Sequence, residues 1–291
     1  MKAQAIKIRW VTTCCFEVVL PNGKVLLFNP WTGKSEGYPK FQVETGLTPE
    51  DFTGADYVFL THAHFDHVDD AACAVKKLCK DTYGGHIYAP ALSAKLIADM
   101  YDIPYREIIP VFPNESFETD DLIIDIYPCR HFGDQGAPIG PCPSTNARRA
   151  AEKGQTEWQT LSGALGSLEE IDIGITIKEN NLRFMMLGGR IYKFHNVYKR
   201  CETFHPNFVI CQLSPGFSPE DYADICHRYH APLVFPSHHD SHNLEKARGT
   251  TYEAYFSAVN QRLREMHSAT QVVHIVPGRW YSVGSYCDLT D

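Results

Sequence analysis

Apolar and polar residues alternate along 5–11 and 14–20, the period-two pattern of strands with distinct faces. Pro21-Asn22-Gly23-Lys24 supplies the turn from the second of these into the apolar run Val25-Leu26-Leu27-Phe28, which predicts a hairpin. Another apolar run, Tyr57-Val58-Phe59-Leu60, leads directly into Thr61-His62-Ala63-His64-Phe65-Asp66-His67. Asp69 and Asp70 then suit the positive end of a helix expected to run to about residue 80. A short strand is expected over 86–89 and a helix over 90–100. The strand pattern over 122–128 ends at Cys129-Arg130-His131.

Beyond His131 the chain is rich in Gly, Pro, Ser and Ala as far as about 170, with weak helical signals near 147–152 and 158–165. So long a connection predicts a cap over 132–170 that covers a site and helps select its substrate. Strand patterns return over 171–178 and 182–187, joined by Glu179-Asn180-Asn181. A strand over 208–213 precedes Ser218-Pro219-Glu220-Asp221, a helix start with N-cap, N1 proline and acidic first turn in order. The strand 233–235 ends at Pro236-Ser237-His238-His239-Asp240, followed by a helix at about 250–266 and two short strands. No linker of disordered composition interrupts this, which predicts one α/β domain over 1–291.

Composition narrows the partners. The net charge is −8, and the longest Lys/Arg run is the pair Arg148-Arg149. A phosphate-backbone binder needs a basic stripe, so a long nucleic acid is excluded, although a nucleotide substrate is not. No run approaches the roughly 18 apolar residues of a membrane span, and the N-terminus lacks the apolar core of a signal peptide. Ten cysteines without a CxxC pair therefore read as reduced thiols in a cytoplasmic protein. Cys14 and Cys15 are adjacent in a strand-like run and should face opposite ways. A homo-oligomer is left open.

The chemistry concentrates in His62-x-His64-x-Asp66-His67. Histidines at i and i+2 on an extended strand end point to one side, so both can meet one ion. Asp66 and His67, on the turn that follows, can serve a second. Nitrogen and carboxylate donors suit zinc first, and manganese or iron as well.

Thr-His-Ala-His-Phe-Asp-His after an apolar strand resembles the HxHxDH motif of the metallo-β-lactamase superfamily, and GADYVFLTHAHFDHVDD is most similar to its ascorbate-6-phosphate lactonase-like branch. GKVLLFNPW resembles the early family strand, with Asn29 where an aspartate is usual, and VVHIVPGRWYSV resembles the closing strands. The resemblance implies a four-layer αββα sandwich with metals at one sheet edge. It implies that His131, at the end of LIIDIYPCRH, completes a first site with His62 and His64. It also implies that His238, in PSHHD, joins Asp66 and His67 in a second. One departure stands out: where the family carries a bridging aspartate, this chain reads Leu187-Gly188-Gly189-Arg190. The expectation is one tight ion and a weak or empty second site.

Three neutral histidines leave a divalent ion its full charge, which suits it to activating water at neutral pH. Asp66 would orient that water or take its proton. Arg190, Arg130 and His239 are the residues expected to bind substrate, the arginines through a carboxylate or phosphate. The expected activity is hydrolysis of an ester, lactone or phosphoester of a small, anionic molecule. Two alternatives stay open: a phosphodiesterase for a small cyclic nucleotide, and a non-catalytic metal-binding or regulatory protein with a degenerate second site. A redox di-iron centre fits less well, because such relatives place a carboxylate where His64 stands.

Overall fold

Strands whose two faces are both apolar need a covering layer on each side. The first strands show this: in β1 (Ile6–Thr12), Ile6, Ile8 and Trp10 point into one buried cluster and Val11 into another. In β3 (Val25–Phe28), Leu26 and Phe28 join the first cluster and Leu27 the second. The computed structural model describes residues 5–34, 42–69, 87–101, 103–129, 169–189, 195–213, 216–240, 245, 249–284 and 287–288. The helix expected to run to residue 80 and the cap expected over 132–170 fall almost wholly outside these residues.

Two sheets result. The first adds β2 (Cys15–Val19), β4 (Tyr57–Phe59), β5 (Ile87–Pro90), β6 (Ile108–Val111), β14 (Trp280–Val283) and β15 (Cys287–Asp288), in the order β15-β14-β1-β2-β3-β4-β5-β6. The second comprises β7 (Ser116–Glu118), β8 (Leu122–Cys129), β9 (Glu170–Ile177), β10 (Arg183–Met186), β11 (Phe208–Gln212), β12 (Leu233–Ser237) and β13 (Gln271–Val272), in the order β13-β12-β11-β10-β9-β8-β7. β3 to β6 run parallel, as do β10 to β13, while β8-β9 and β9-β10 are antiparallel.

The sheets meet in a shared core crossed by an aromatic seam. Phe28 stacks on Phe59 at 5.1 Å and meets Phe184 of the opposite sheet edge-on at 5.8 Å, and Phe184 stacks on Phe208 at 4.6 Å. Each such pair adds about 0.5–1.5 kcal/mol beyond burial. On the outer face of the first sheet lie α1 (Phe65–Val68) and α2 (Ala91–Tyr101). On the outer face of the second lie α3 (His195–Phe204), α4 (Pro219–Arg228) and α5 (Tyr252–Glu265). This is the αββα order. The α4 start forms as expected, with the Ser218 side chain accepting from Asp221 N inside a capping box. Cys14 and Cys15 do face opposite ways, one into the central core and the other toward the helices of the first sheet.

β6, β7 and α3 were not anticipated, and β15 is a third closing strand where two were expected. Both missed β strands are short, and β6 contains Pro110, which weakens the strand signal. No helix among the described residues is long and apolar enough to cross a membrane.

Candidate metal centre

The parallel strands fix where the chemistry gathers. β4 and β12 belong to different sheets, and the segments after both meet where His238 Nε2 lies 3.2 Å from Asp66 Oδ2; the turn between β1 and β2 joins them there, Thr13 O accepting from the His238 backbone N–H at 2.8 Å. Leu60 continues the β4 ladder by bonding Tyr88 O, after which Thr61 and His62 are fully buried. His64 occupies the N-cap of α1, whose single turn carries Asp66 and His67 inward.

The structure brings four of the expected histidines and the aspartate together. His62 Nε2 lies 3.0 Å from His64 Nδ1. The His62 and His67 rings are 3.9 Å apart between centroids, and those of His67 and His238 are 5.8 Å apart. His238 Nε2 sits 3.2 Å from Asp66 Oδ2. One donor atom each from Asp66, His67 and His238 falls within 4.8 Å of the others, and all three residues are buried. Burial works against the Asp66 charge, yet His67, His238 and His64 outweigh it and hold the carboxyl well below the usual range. Packed imidazole nitrogens around one ionised carboxylate, largely away from water, are the donor chemistry of a divalent cation site, so the residues fit such an ion.

A supporting layer orients these donors. Asn29 Oδ1, in the place where an aspartate was usual, accepts from both Thr61 N (2.8 Å) and Thr61 Oγ1 (3.0 Å). Thr61 Oγ1 in turn lies 3.0 Å from His62 Nδ1 and 3.5 Å from His67 Nδ1. Asp240 accepts from Thr12 Oγ1 at 2.6 Å and Thr13 N at 3.0 Å, and Thr13 Oγ1 donates to Asp66 O at 3.2 Å. Thr13, Asn29 and His238 all have left-handed backbone, with φ of 41°, 45° and 62°. For non-glycine residues that conformation costs about 1 kcal/mol or more each, strain of the kind that collects at functional sites.

His239 is placed elsewhere than expected. Its ring is fully buried, stacked on Trp10 at 4.5 Å and edged by Tyr252 at 4.8 Å and Phe256 at 5.5 Å. Burial pulls its pKa down to about 3, so it packs as a neutral aromatic ring rather than reaching substrate. His131, Arg130 and Arg190 lie outside the described residues.

Sequence reasoning missed one carboxylate beside the centre. Glu170, the first residue of β9, is buried with Oε1 at 3.3 Å from His62 Nδ1. Behind it, Asp172 Oδ1 accepts from Gly188 N at 2.9 Å, and burial pushes the Asp172 pKa up to about 7. The signal was a charged pair, Glu169-Glu170, set directly before an apolar strand.

Comparison with known proteins agrees with the fold. A family model described as "Beta-lactamase superfamily domain" matches residues 24–156. A "UPF0173 metal-dependent hydrolase" of Myxococcus xanthus is 22% identical over 275 residues, covering 94% of this chain and 81% of its own length. Similar relatives from Koribacter versatilis and an Anaeromyxobacter species match over only 30% and 35% of their lengths. Igni18, a metallo hydrolase from Ignicoccus hospitalis, superposes with a TM-score of 0.62 at 15% identity, over 97% of this chain and 100% of its own. YhfI of Bacillus subtilis, described as a metallo-beta-lactamase fold protein, gives 0.56 at 13% identity over 94% and 98%.

Proposed function

We propose that this chain, which has the metallo-β-lactamase fold and carries a beta-lactamase superfamily domain, is a metal-dependent hydrolase of a small anionic ester, lactone or phosphoester. The observation that carries the reading is the gathering of His62, His64, Asp66, His67 and His238 at one sandwich edge, all but His64 well buried. His62 and His64, with His131, would hold a first divalent ion, and Asp66, His67 and His238 a second. A cation held there supplies Lewis acidity, lowering the pKa of a water toward about 7 and polarising the oxygen of the bond under attack.

The protein's own groups do the rest. Asp66 stays ionised, with Oδ2 tied to His238 Nε2, and would take the proton of the attacking water. Thr61 and Asn29 fix the ring orientation of His62 and His67, because a ring nitrogen tied to an oxygen leaves the other turned toward the site. Arg130 and Arg190, which flank the positions of His131 and Gly189 in sequence, would hold the anionic end of the substrate.

The test is a panel of esters, lactones and phosphodiesters, including small cyclic nucleotides. The protein is assayed as purified, after chelation, and after return of zinc, manganese or iron. Hydrolysis of at least one class, lost on chelation and restored by metal, is the expected result. Metal binding without turnover of any class would refute the catalytic reading and leave a metal-binding protein.

A further inference from the structure

Gly189 stands where the resembled family sets its bridging aspartate, and the structure shows what fills that space. A Cβ on Gly189 would press on the Glu170 carboxylate, nearest to Oε2 and lying 2.8 Å from Cδ and 2.9 Å from Oε1, so a side chain here would have to displace that carboxylate. Strand register explains the encounter. β9 and β10 are antiparallel, with Met185 opposite Gly174 and Met186 opposite Ile173. Carried three residues further, that register sets Gly189 opposite Glu170, and facing residues in such a pair have Cβ positions about 5 Å apart. A glutamate on one strand thus reaches the space that an aspartate on its neighbour would need. The glycine segment cannot back away. Gly188 N donates to Asp172 Oδ1 at 2.9 Å, and Gln212 Nε2 donates to Gly188 O at 2.6 Å.

The carboxylate arrives at a different side of the centre, however. Glu170 Oε1 is 3.3 Å from His62 Nδ1, whereas His62 Nε2 is the nitrogen that faces His64. The two nitrogens of an imidazole point to opposite sides of the ring. Glu170 therefore sits behind His62, not between two ion sites.

We propose that Glu170 is a positioning residue that replaces a bridging carboxylate with one behind the first histidine. With Thr61 Oγ1, 3.0 Å from the same nitrogen, it shares the His62 Nδ1–H, fixes the tautomer that leaves Nε2 as the donor, and makes that nitrogen more basic. A carboxylate in this place favours a first cation at His62 and His64 and leaves a second without its bridge. The inference rests on the metal-hydrolase reading and adds an asymmetry to it, one tight ion beside a loose one. Gly189 leaves the Glu170 carboxylate in this place, because a side chain at 189 would push it aside.

The test measures zinc affinity and stoichiometry by competition with a chromogenic chelator in wild type, Glu170→Gln and the exchange variant Glu170→Gly/Gly189→Asp. It also records the His62 Nδ1–H resonance by NMR. In Glu170→Gln the tight equivalent should weaken by about 10–100-fold with stoichiometry unchanged, and the Nδ1–H resonance should shift. The exchange variant should tighten the second equivalent and loosen the first, which keeps the test decisive if Glu170→Gln fails to fold. Unchanged affinity and resonance in Glu170→Gln would overturn the inference while leaving the metal reading intact. So would two tight equivalents in wild type falling to one, since Glu170 would then be a ligand itself. A wild type that binds no zinc would instead remove the metal-hydrolase reading beneath it.

Discussion

Glu17 and Glu170 are both buried, one in each sheet, and they are held in different ways. Glu17, on β2, meets the Arg9 guanidinium through Nε at 2.6 Å and through Nη2, and accepts from Thr53 N at 2.7 Å. Arg9 is itself fixed, donating to Asp51 O at 2.8 Å and packing over the Trp280 ring at 4.8 Å. A permanent cation and a backbone N–H close that pair within the fold. Glu170, on β9, faces an imidazole at 3.3 Å and the Cys129 thiol at 3.8 Å. Neither of these two groups carries a permanent charge, and beyond His62 lie the further donors of the cluster. The difference separates structure from function. A buried carboxylate matched by arginine holds two strands together, whereas one placed behind a histidine cluster would, on the proposed function, act on an ion held by that cluster.

The contrast can be broken from either end. Asp66→Asn should have the largest effect, lowering turnover of the folded, zinc-loaded protein by about 10²–10⁴-fold. Turnover near that of wild type would remove Asp66 from the chemistry. Glu17→Gln should act on the fold instead, because it strands a buried arginine. A loss of about 3–5 kcal/mol of unfolding free energy is expected, with zinc affinity of the folded fraction unchanged. Altered zinc affinity there would join two regions that the structure keeps apart. Thr61→Val should have the smallest effect, removing the hydroxyl that links Asn29 to His62 and His67. About a tenfold weaker hold on zinc is expected, and no change at all would show that Glu170 alone orients His62.

The same contrast explains how much the sequence could reveal. Alternation over 5–11 and 14–20, with the turn at 21–24 and the apolar run Val25–Phe28, made the first three strands legible from local pattern. The hairpin of β9 and β10 and the N-terminus of α4 were legible for the same local reason. His62, His64, Asp66 and His67 were legible because they lie within six residues of one another. α3 was missed although Val197, Tyr198, Cys201 and Phe204 bury one face of it at helical spacing, since its polar residues mask the pattern. Glu170 was not legible as a partner of Gly189, because only the β9-β10 register brings the two together. Asp240 escaped for a related reason, because it acts on Thr12 and Thr13, 228 and 227 positions away.

The central claim is that one tightly held cation at the histidine cluster carries the hydrolysis. The direct measurement is a zinc titration into chelated protein, with bound metal and turnover of the best panel substrate followed together. The account predicts that turnover rises linearly and reaches its plateau at one equivalent per chain, with a second equivalent binding far more loosely. Turnover indifferent to zinc, or a plateau reached only when two equally tight equivalents are bound, would contradict it.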